Sequence, residues 1–258
     1  MYSNEVEIDM KTVAIIQARM GSQRLPGKIL KVIGSLPLYQ IVHNRVAASE
    51  LVDDVVFATT NGEQDDIFCN ELSRKGIPFY RGSELDVLTR FEKAAEVFDA
   101  SIIVRITCDD PFKDPHVIDQ CLLQMRNKNA EFSSNVIEKT YAEGLDVECM
   151  SRHLLNIMSE NAKLDYQREH VTPYFYEHKN LYTHCSVTDD VDLSEYRLTL
   201  DDPIDLEIMT DLYRACNFDY DVSYELIKQL IQVDHFREKL VGRVQPYAGL
   251  LGSKEAQK

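Results

Sequence analysis

Short apolar runs alternate with segments of helical periodicity along the first half of the chain. The runs 12–16, 55–60, 77–80 and 101–107 have the composition of strands buried in a sheet. Apolar positions at helical spacing lie between and after them, within 38–51, 67–72, 87–98 and 117–125. The repeated strand–helix order predicts an α/β fold, with a parallel sheet covered by helices on both faces.

The second half of the chain, from about residue 130, has a less regular pattern. We predict strands near 131–136, 146–150, 181–187 and 196–200, and helices near 152–160, 167–177, 203–215 and 224–232. No linker rich in Gly, Ser or Pro separates the halves, so we expect a single domain over 11–248. Residues 1–10 and 249–258 are expected to be flexible tails.

The acidic composition of the chain limits the kinds of partner that it can bind. The 258 residues carry a formal net charge of −15, which argues against a nucleic-acid-binding surface and against anionic membranes. A small anionic ligand remains compatible, because a local cationic pocket can sit on an acidic protein. The six cysteines form no C-x-x-C pair, so buried free thiols are expected. With a polar N-terminus and no apolar run of about 20 residues, we expect a soluble, cytoplasmic protein.

Three cations follow the first predicted strand. The stretch "IIQARMGSQRLPGK" (15–28) places Arg19, Arg24 and Lys28 in a loop that contains two glycines. Such a loop lets backbone N–H groups approach phosphate oxygens, while Arg offers a planar fork and Lys a compact charge. We therefore predict phosphate binding here. The loop is neither G-x-x-x-x-G-K-[ST], because Ile29 replaces the Ser or Thr, nor G-x-G-x-x-G.

Two pairs of aspartates also follow predicted strands. Asp109 and Asp110 lie in "RITCDDPFKDP" (105–115), and Asp201 and Asp202 lie in "RLTLDDPIDLE" (197–207). Mg²⁺ is commonly held by one or two carboxylates together with substrate phosphates, so each pair could supply one ligand to a shared ion. The alternative is that these aspartates cap the helices that begin near the following prolines. The sequence leaves both readings open.

Two further clusters carry polar side chains in the second half. Arg168, Glu169 and His170 are adjacent in "DYQREHVTPYFYEH" (165–178), where His170 is either a base or a partly buried, hydrogen-bonded residue. Asp146 and Glu148 in "EGLDVE" (143–148) are predicted to share one strand face. They either bind substrate hydroxyls or form ion pairs.

These motifs together resemble the cytidylyltransferases that activate acidic sugars, a family that includes CMP-sialate and CMP-Kdo synthetases. "IIQARMGSQRLPGKIL" is the most specific of them. With "VVFATT", "YRGSELDVLTRF", "VRITCDDPFKDP", "EGLDVE", "REHVTPY" and "LTLDDPIDLE", it is most similar to the spore-coat polysaccharide biosynthesis F-type branch, from about Lys11 to Tyr213. The chain departs from the Gly-Asp-Glu-Pro core of the Kdo enzymes, because it has Cys108-Asp109-Asp110-Pro111.

The resemblance implies a three-layer Rossmann-like nucleotidyltransferase fold with a mainly parallel mixed sheet. It also implies Mg²⁺-dependent transfer of CMP from CTP to an acidic, nonulosonate-like sugar or a similar small acid. Pyrophosphate would be released, and the product would serve surface polysaccharide biosynthesis. Residues 11–130 would form the nucleotide-binding part, and 131–248 the acceptor-binding and C-terminal helical part. Many relatives are dimers, so a homodimer is a possible assembly.

The matching motifs also imply candidate roles for individual residues of this chain. Arg19, Lys28 and Asp109 are the candidate catalytic residues, and Asp109 and Asp201 are the candidate metal ligands. The candidate nucleotide-binding residues are Gln17, Ala18, Arg19, Met20, Gly21, Ser22, Arg24, Lys28, Thr59, Thr60, Ser83 and Asp86. The candidate acceptor-binding residues are Asp146, Glu148, Arg168, Glu169 and His170.

Two other functions fit parts of the pattern. A nucleotide-sugar glycosyltransferase of similar fold also holds a metal at aspartates after a strand, but it uses a nucleoside diphosphate sugar and releases no pyrophosphate. A non-catalytic nucleotide-binding subunit would bind CTP without turnover. The loop sequence "QARMGSQRLPGK" argues against the first. The presence of Arg19, Lys28, Asp109 and Asp201 argues against the second.

Overall fold

A computed structural model describes residues 10–243 of the chain. Its strands are β1 (Thr12–Gln17), β2 (Val32–Ile33), β3 (Leu36–Pro37), β4 (Asp54–Thr60), β5 (Phe79–Gly82), β6 (Ile102–Thr107), β7 (Phe132–Ser134), β8 (Glu148–Ser151) and β9 (His184–Ser186). Its α-helices are α1 (Leu38–Ala47), α2 (Asp66–Lys75), α3 (Val87–Val97), α4 (Pro115–Lys128), α5 (Arg152–Asn161), α6 (Asp165–His170), α7 (Pro173–His178), α8 (Pro203–Ala215), α9 (Tyr224–Ile231) and α10 (Asp234–Leu240). Short 3₁₀ helices span Lys28–Leu30, Glu63–Asp65 and Lys179–Leu181.

Seven strands form one mixed sheet in the order β5-β4-β1-β6-β8-β7-β9. β1 pairs in parallel with β4 and β6, and β4 pairs in parallel with β5. β8 is antiparallel to β6 and β7, whereas β9 is parallel to β7. β2 and β3 form a separate antiparallel hairpin. The mainly parallel mixed sheet is thus confirmed.

The core lies on both faces of this sheet. Because side chains alternate along a strand, Ala14 and Ile16 of β1 pack in a cluster with residues of α1, α2, α4 and α8. Val13 and Ile15 pack on the opposite face with residues of α3, α5 and α7. Helices therefore cover both faces, and the three-layer arrangement expected from the alternating pattern is confirmed.

Several predicted elements need correction. The strand predicted at 196–200 is wrong, because only isolated bridges occur there, Tyr196 with Val241 and Arg197 with Glu143. The helix predicted at 167–177 is divided into α6 and α7 at Val171, whose φ is +71°. Pro173 stands at the start of α7, where its missing N–H costs no helical hydrogen bond. Helix α10 and the β2–β3 hairpin were not predicted.

The remaining expectations concern termini, thiols and membranes. The expected tails lie outside the described residues except for Met10, and so do residues 244–248 of the expected domain. All six cysteines are free, and only Cys185 is more than marginally exposed. Within 10–243, no helix is long and apolar enough to cross a bilayer.

Candidate active site

The loops that follow β1, β4 and β6 meet at the carboxyl edge of the sheet. The Ala18 N–H donates to the Ala58 carbonyl at 3.2 Å, and the Cys108 N–H donates to the Gln17 carbonyl at 3.1 Å. These bonds continue the parallel pairing by one residue beyond β1 and β6. The three loops therefore converge at one edge of the sheet, and this edge is where ligands bind in open α/β sheets.

Lys28 is the centre of the charged residues at this edge. Its Nζ atom donates to Asp109 Oδ2 at 2.7 Å and to Asp201 Oδ1 at 2.9 Å, and it lies 3.3 Å from the Leu200 carbonyl oxygen. Lys28 begins a short 3₁₀ helix after Gly27, which has a left-handed φ of +65°. The two aspartates that sequence reasoning proposed as partners therefore meet at one ammonium group.

Electrostatics keep Lys28 and Asp109 ionised. Burial alone would lower the pKa of Lys28, but the carboxylates of Asp109 and Asp201 outweigh it and raise that pKa. Burial alone would raise the pKa of Asp109, but the Lys28 ammonium outweighs it and the pKa falls. Both groups consequently carry their charges at neutral pH.

Asp201 receives two further cations. Arg197 Nη2 donates to Asp201 Oδ2 at 2.6 Å, and Arg24 Nη2 lies 2.9 Å from the same oxygen. Arg197 also donates to both carboxylate oxygens of buried Asp205 at 2.8 Å. Sequence reasoning missed Arg197 and Asp205, although both stand in the quoted "RLTLDDPIDLE" segment.

The second aspartate of each pair has a different role from the first. Asp202 caps α8, because its side chain accepts from the Asp205 N–H at 2.8 Å. Asp110 caps no helix, since the cap of α4 is Asp114. The capping interpretation is thus right for Asp202 and wrong for the "DDP" of 109–111.

Asp110 instead forms a buried ion pair. It accepts from Lys113 Nζ at 2.9 Å and from Thr107 Oγ1 at 2.6 Å. Burial raises the pKa of Asp110 to about 6, with Lys113 opposing this shift and Asp109 adding to it. Lys113, whose side chain is fully buried, also donates to the Asp146 carbonyl at 2.5 Å. This pair ties the "DDP" loop to the "EGLDVE" segment.

Arg19 and Gly21 of the predicted nucleotide-binding set lie beside the loops that follow β4 and β5. Arg19 Nη1 lies 3.0 Å from Glu84 Oε1, and an added Cβ on Gly21 would stand 3.1 Å from Gln64 Nε2. Gly21 therefore permits a close approach between the loop after β1 and the loop after β4. Ala18 is buried, and Ser22 is half-buried in the same loop.

Three other members of this set, Ser83, Asp86 and Thr60, have structural partners, whereas the Thr59 hydroxyl has none among the described residues. Asp86 caps α3 through the Thr89 N–H at 3.0 Å, and Ser83 Oγ accepts from the Asp86 N–H. The Thr59 hydroxyl is buried, with no hydrogen-bond partner among the described residues. Thr60 donates its hydroxyl hydrogen to Asp65. Their nucleotide-binding roles stay predictions.

The predicted acceptor-binding residues stand on two segments of the chain, with Asp146 just before β8, Glu148 at its start and the other three on α6. Glu148 accepts from Arg105 Nη1 at 2.6 Å and from the Tyr176 hydroxyl at 2.8 Å. Asp146 precedes β8 and lies outside any strand, so the prediction that it shares a strand face with Glu148 is wrong.

The other three acceptor candidates stand on α6. Arg168 pairs with Asp86, its Nη2 atom lying 2.7 Å from Asp86 Oδ2. Glu169 Oε2 lies 3.8 Å from His170 Nε2. Arg168 thus helps to fix α6 against α3, in addition to any role towards a substrate.

The donor set at Lys28 is compatible with magnesium. Asp109 and Asp201 present two carboxylates to one point, and the predicted phosphate-binding loop lies beside them. Mg²⁺ usually takes one or two carboxylates and completes its shell with phosphate oxygens and water. Within residues 10–243, no group of three or more His, Cys, Asp or Glu side chains converges as a metal site. A magnesium ion here would therefore depend on substrate oxygens.

The fold and the site define a nucleotidyltransferase, because a Rossmann-like sheet carries a cationic loop and two carboxylates at its carboxyl edge. A family model described as cytidylyltransferase matches residues 13–241, and the chain belongs to this family.

Relatives and a solved structure agree with that assignment. The chain is 36% identical over 216 residues to the spore coat polysaccharide biosynthesis protein SpsF of Bacillus subtilis, covering 81% of this chain and 89% of that protein. It is 35% identical over 120 residues to the 3-deoxy-manno-octulosonate cytidylyltransferase of Pelobacter propionicus, covering 44% of each. The structure of a cytidylyltransferase from Leptospira borgpetersenii matches with a TM-score of 0.84 and 30% identity, over 92% of this chain and 99% of that one. The resemblance inferred from the motifs is confirmed.

Proposed function

We propose that this cytidylyltransferase transfers CMP from CTP to a small acidic, nonulosonate-like sugar or a similar small acid. The reaction releases pyrophosphate, and the product serves surface polysaccharide biosynthesis. The contact of Lys28 with both Asp109 and Asp201 carries the proposal, because it joins the cationic loop to the two candidate metal carboxylates. The names of SpsF and of the 3-deoxy-manno-octulosonate enzyme support a polysaccharide role and an acidic acceptor.

The chemistry requires positive charge at the position of the triphosphate. An acceptor hydroxyl oxygen forms a bond to the α-phosphorus, and the bond between that phosphorus and the bridging oxygen of the pyrophosphate breaks. Negative charge grows on the phosphate oxygens, so that positioning and electrostatic stabilisation provide most of the rate enhancement. Arg19, Arg24 and Lys28 hold the triphosphate, and Lys28 neutralises part of the growing charge.

Asp109 and Asp201 would hold a magnesium ion, which would neutralise charge on the phosphate oxygens when bound. The same two carboxylates orient Lys28 through its ammonium hydrogens. Their removal would therefore affect both the metal requirement and the position of the lysine.

The acceptor lies in the second part of the chain under this proposal. Asp146, Glu148, Arg168, Glu169 and His170 remain its candidate contacts. Glu148 and Arg168 are held by other side chains, which favours an orienting role for these two.

A pyrophosphate-release assay tests the proposal. The protein is incubated with Mg²⁺ and with CTP, UTP, ATP or GTP, each with and without acidic sugars such as sialate and 3-deoxy-manno-octulosonate. We expect pyrophosphate release with CTP that requires an acidic acceptor. Release with UTP alone, or CTP binding without release under any acceptor, would contradict it.

A further inference from the structure

The peptide group of Met20 closes the cationic loop after β1. Its carbonyl oxygen accepts from the Ser22 N–H at 2.9 Å and from the Gly27 N–H at 3.2 Å. Gly27 is the residue from which the 3₁₀ helix of Lys28 begins. The orientation of the Met20 peptide therefore determines how the loop returns to Lys28.

A buried carboxylate from the next loop holds the preceding peptide group, which contains the Met20 N–H and is joined to the first through the Met20 Cα. Asp65 Oδ1 accepts from the Met20 N–H at 2.6 Å, and Asp65 is fully buried. Asp65 Oδ2 accepts the hydroxyl hydrogen of Thr60, at the end of β4. The Asp65 N–H donates to the Gly62 carbonyl at 3.0 Å, which fixes the backbone of the aspartate itself. A path of hydrogen bonds thus runs from the end of β4, through Asp65 and Met20, to the residue before Lys28.

Asp65 places a carboxylate in a fully buried position. Burying an ionised carboxylate is costly unless hydrogen bonds or a cation compensate for the lost water. Among residues 10–243, no lysine, arginine or histidine forms an ion pair with Asp65, although Arg81 and Arg90 attract it at longer range. Its side chain accepts hydrogen bonds from the Met20 N–H and the Thr60 hydroxyl. Hydrogen bonds to a charged acceptor are about twice as strong as neutral ones. The hydrogen bond from the Met20 N–H to the Asp65 carboxylate is therefore a strong restraint on the loop backbone.

We infer that Asp65 is a positioning residue for the reaction: by accepting from the Met20 N–H it restrains the backbone of Met20, and with it the loop that presents Lys28 to the triphosphate. This inference rests on the proposed function in one respect only, that CTP binds at this loop. Asp65 touches neither Lys28 nor the carboxylates beside it, and it acts through the loop backbone.

Hydrogen–deuterium exchange tests the positioning without any ligand. Asp65→Ala removes the acceptor for the Met20 N–H, so exchange of a peptide covering 18–28 should accelerate about tenfold or more relative to wild type, because the closed loop opens more often. Glu63→Gln is the matched control, since Glu63 is exposed in the same 3₁₀ helix and should leave the exchange unchanged. Unchanged exchange of 18–28 in folded Asp65→Ala would overturn the inference.

CTP affinity tests the consequence for the site. We expect Asp65→Ala to raise the Kd for CTP about tenfold or more, since small displacements of binding groups carry large penalties. Asp65→Asn keeps an oxygen for the Met20 N–H but loses the charge, so its Kd should rise by less than that of Asp65→Ala. Equal weakening in both variants would contradict the Met20 bond as the cause.

The two readouts separate the two hypotheses. Wild-type protein that fails to bind CTP overturns the proposed function, whereas the exchange result still decides the role of Asp65. If Asp65→Ala does not fold, Thr60→Val takes its place, because it preserves the buried volume and releases Asp65 Oδ2. It should accelerate exchange of 18–28. The exchange rate alone is the readout for this variant, because Thr60 is itself a candidate nucleotide-binding residue. Unchanged exchange in Thr60→Val would overturn the inference.

Discussion

The Lys28 Nζ atom lies 2.7 Å from the Asp109 Oδ2 atom and joins the loop after β1 to the end of β6. Their side chains are 13% and 25% exposed, so neither charge is fully hydrated. Removing one partner from a largely buried pair leaves the other uncompensated. The contact therefore links the stability of the carboxyl edge to its chemistry, and variants at these positions need separate measurements of folding and turnover.

Replacing Lys28 by alanine should lower turnover by about 10²- to 10³-fold or more, because a positioned charge at the triphosphate is lost. Pyrophosphate release from CTP measures the effect, and far-UV circular dichroism checks that the fold persists. Lys31→Ala is the matched control, since Lys31 is an exposed lysine three residues further on. Near-normal release in Lys28→Ala would remove this lysine from the mechanism.

Replacing Asp109 by asparagine should move the magnesium titration of activity to about tenfold higher concentration, because a neutral amide is a weaker ligand for a hard cation. The measurement is the initial rate against Mg²⁺ concentration at saturating CTP. Asp190→Asn, an exposed aspartate, should leave the titration unchanged. A titration that coincides with wild type would count against Asp109 as a ligand.

Glu143 should make the stability of the protein depend on pH. Burial raises the pKa of Glu143 to about 7, opposed by Lys139 and Arg197 and reinforced by Asp146 and Asp110. The folded state therefore holds a proton that the unfolded chain releases between about pH 4.5 and 7, so stability falls as pH rises through this window.

The variant Glu143→Gln isolates this effect. The free energy of unfolding of wild type, relative to that of the variant, should fall by about 2–3 kcal/mol between pH 5 and pH 8. Urea denaturation at both pH values measures the difference. Parallel pH profiles for the two proteins would show that Glu143 titrates normally.

Gly144 should tolerate no side chain. Its φ is +102°, and an added Cβ would lie 2.8 Å from the Leu198 carbonyl carbon. Gly144→Ala should therefore cost about 2–4 kcal/mol, since backbone strain adds to the clash. Gly76→Ala is the control, because its φ is +69° but nothing lies within 4 Å of an added Cβ, so only strain of about 1 kcal/mol is expected. Thermal unfolding of both variants measures the difference, and equal losses would contradict the steric account.

The sequence predicted the parallel half of the sheet better than the antiparallel half. Strands β1 and β6 are buried on both faces, so they appear as continuous apolar runs that can be recognised locally. Leu198 and Leu200 are equally buried, but they pack into the core without a paired strand. An apolar run alone cannot distinguish these two situations, because pairing depends on a partner distant in sequence.

Local sequence patterns likewise predicted only part of the candidate active site. Lys28, Asp109 and Asp201 could be proposed because each follows a predicted strand or loop motif. The pairing of Arg197 with Asp201 and Asp205, and of Lys113 with Asp110, depends on side-chain directions that motifs do not contain. Asp65 was not singled out, because "NGEQDD" has no distinctive pattern beyond a turn.

The contact between Lys28 and Asp201 joins residues 173 positions apart, whereas Lys28 and Asp109 are 81 apart. During synthesis, the lysine and the first carboxylate emerge from the ribosome long before the second. A nascent chain that has reached only the end of α4 contains Lys28 and Asp109 but not Asp201. A product terminated before Asp201 would therefore lack one of the two carboxylates that hold the lysine.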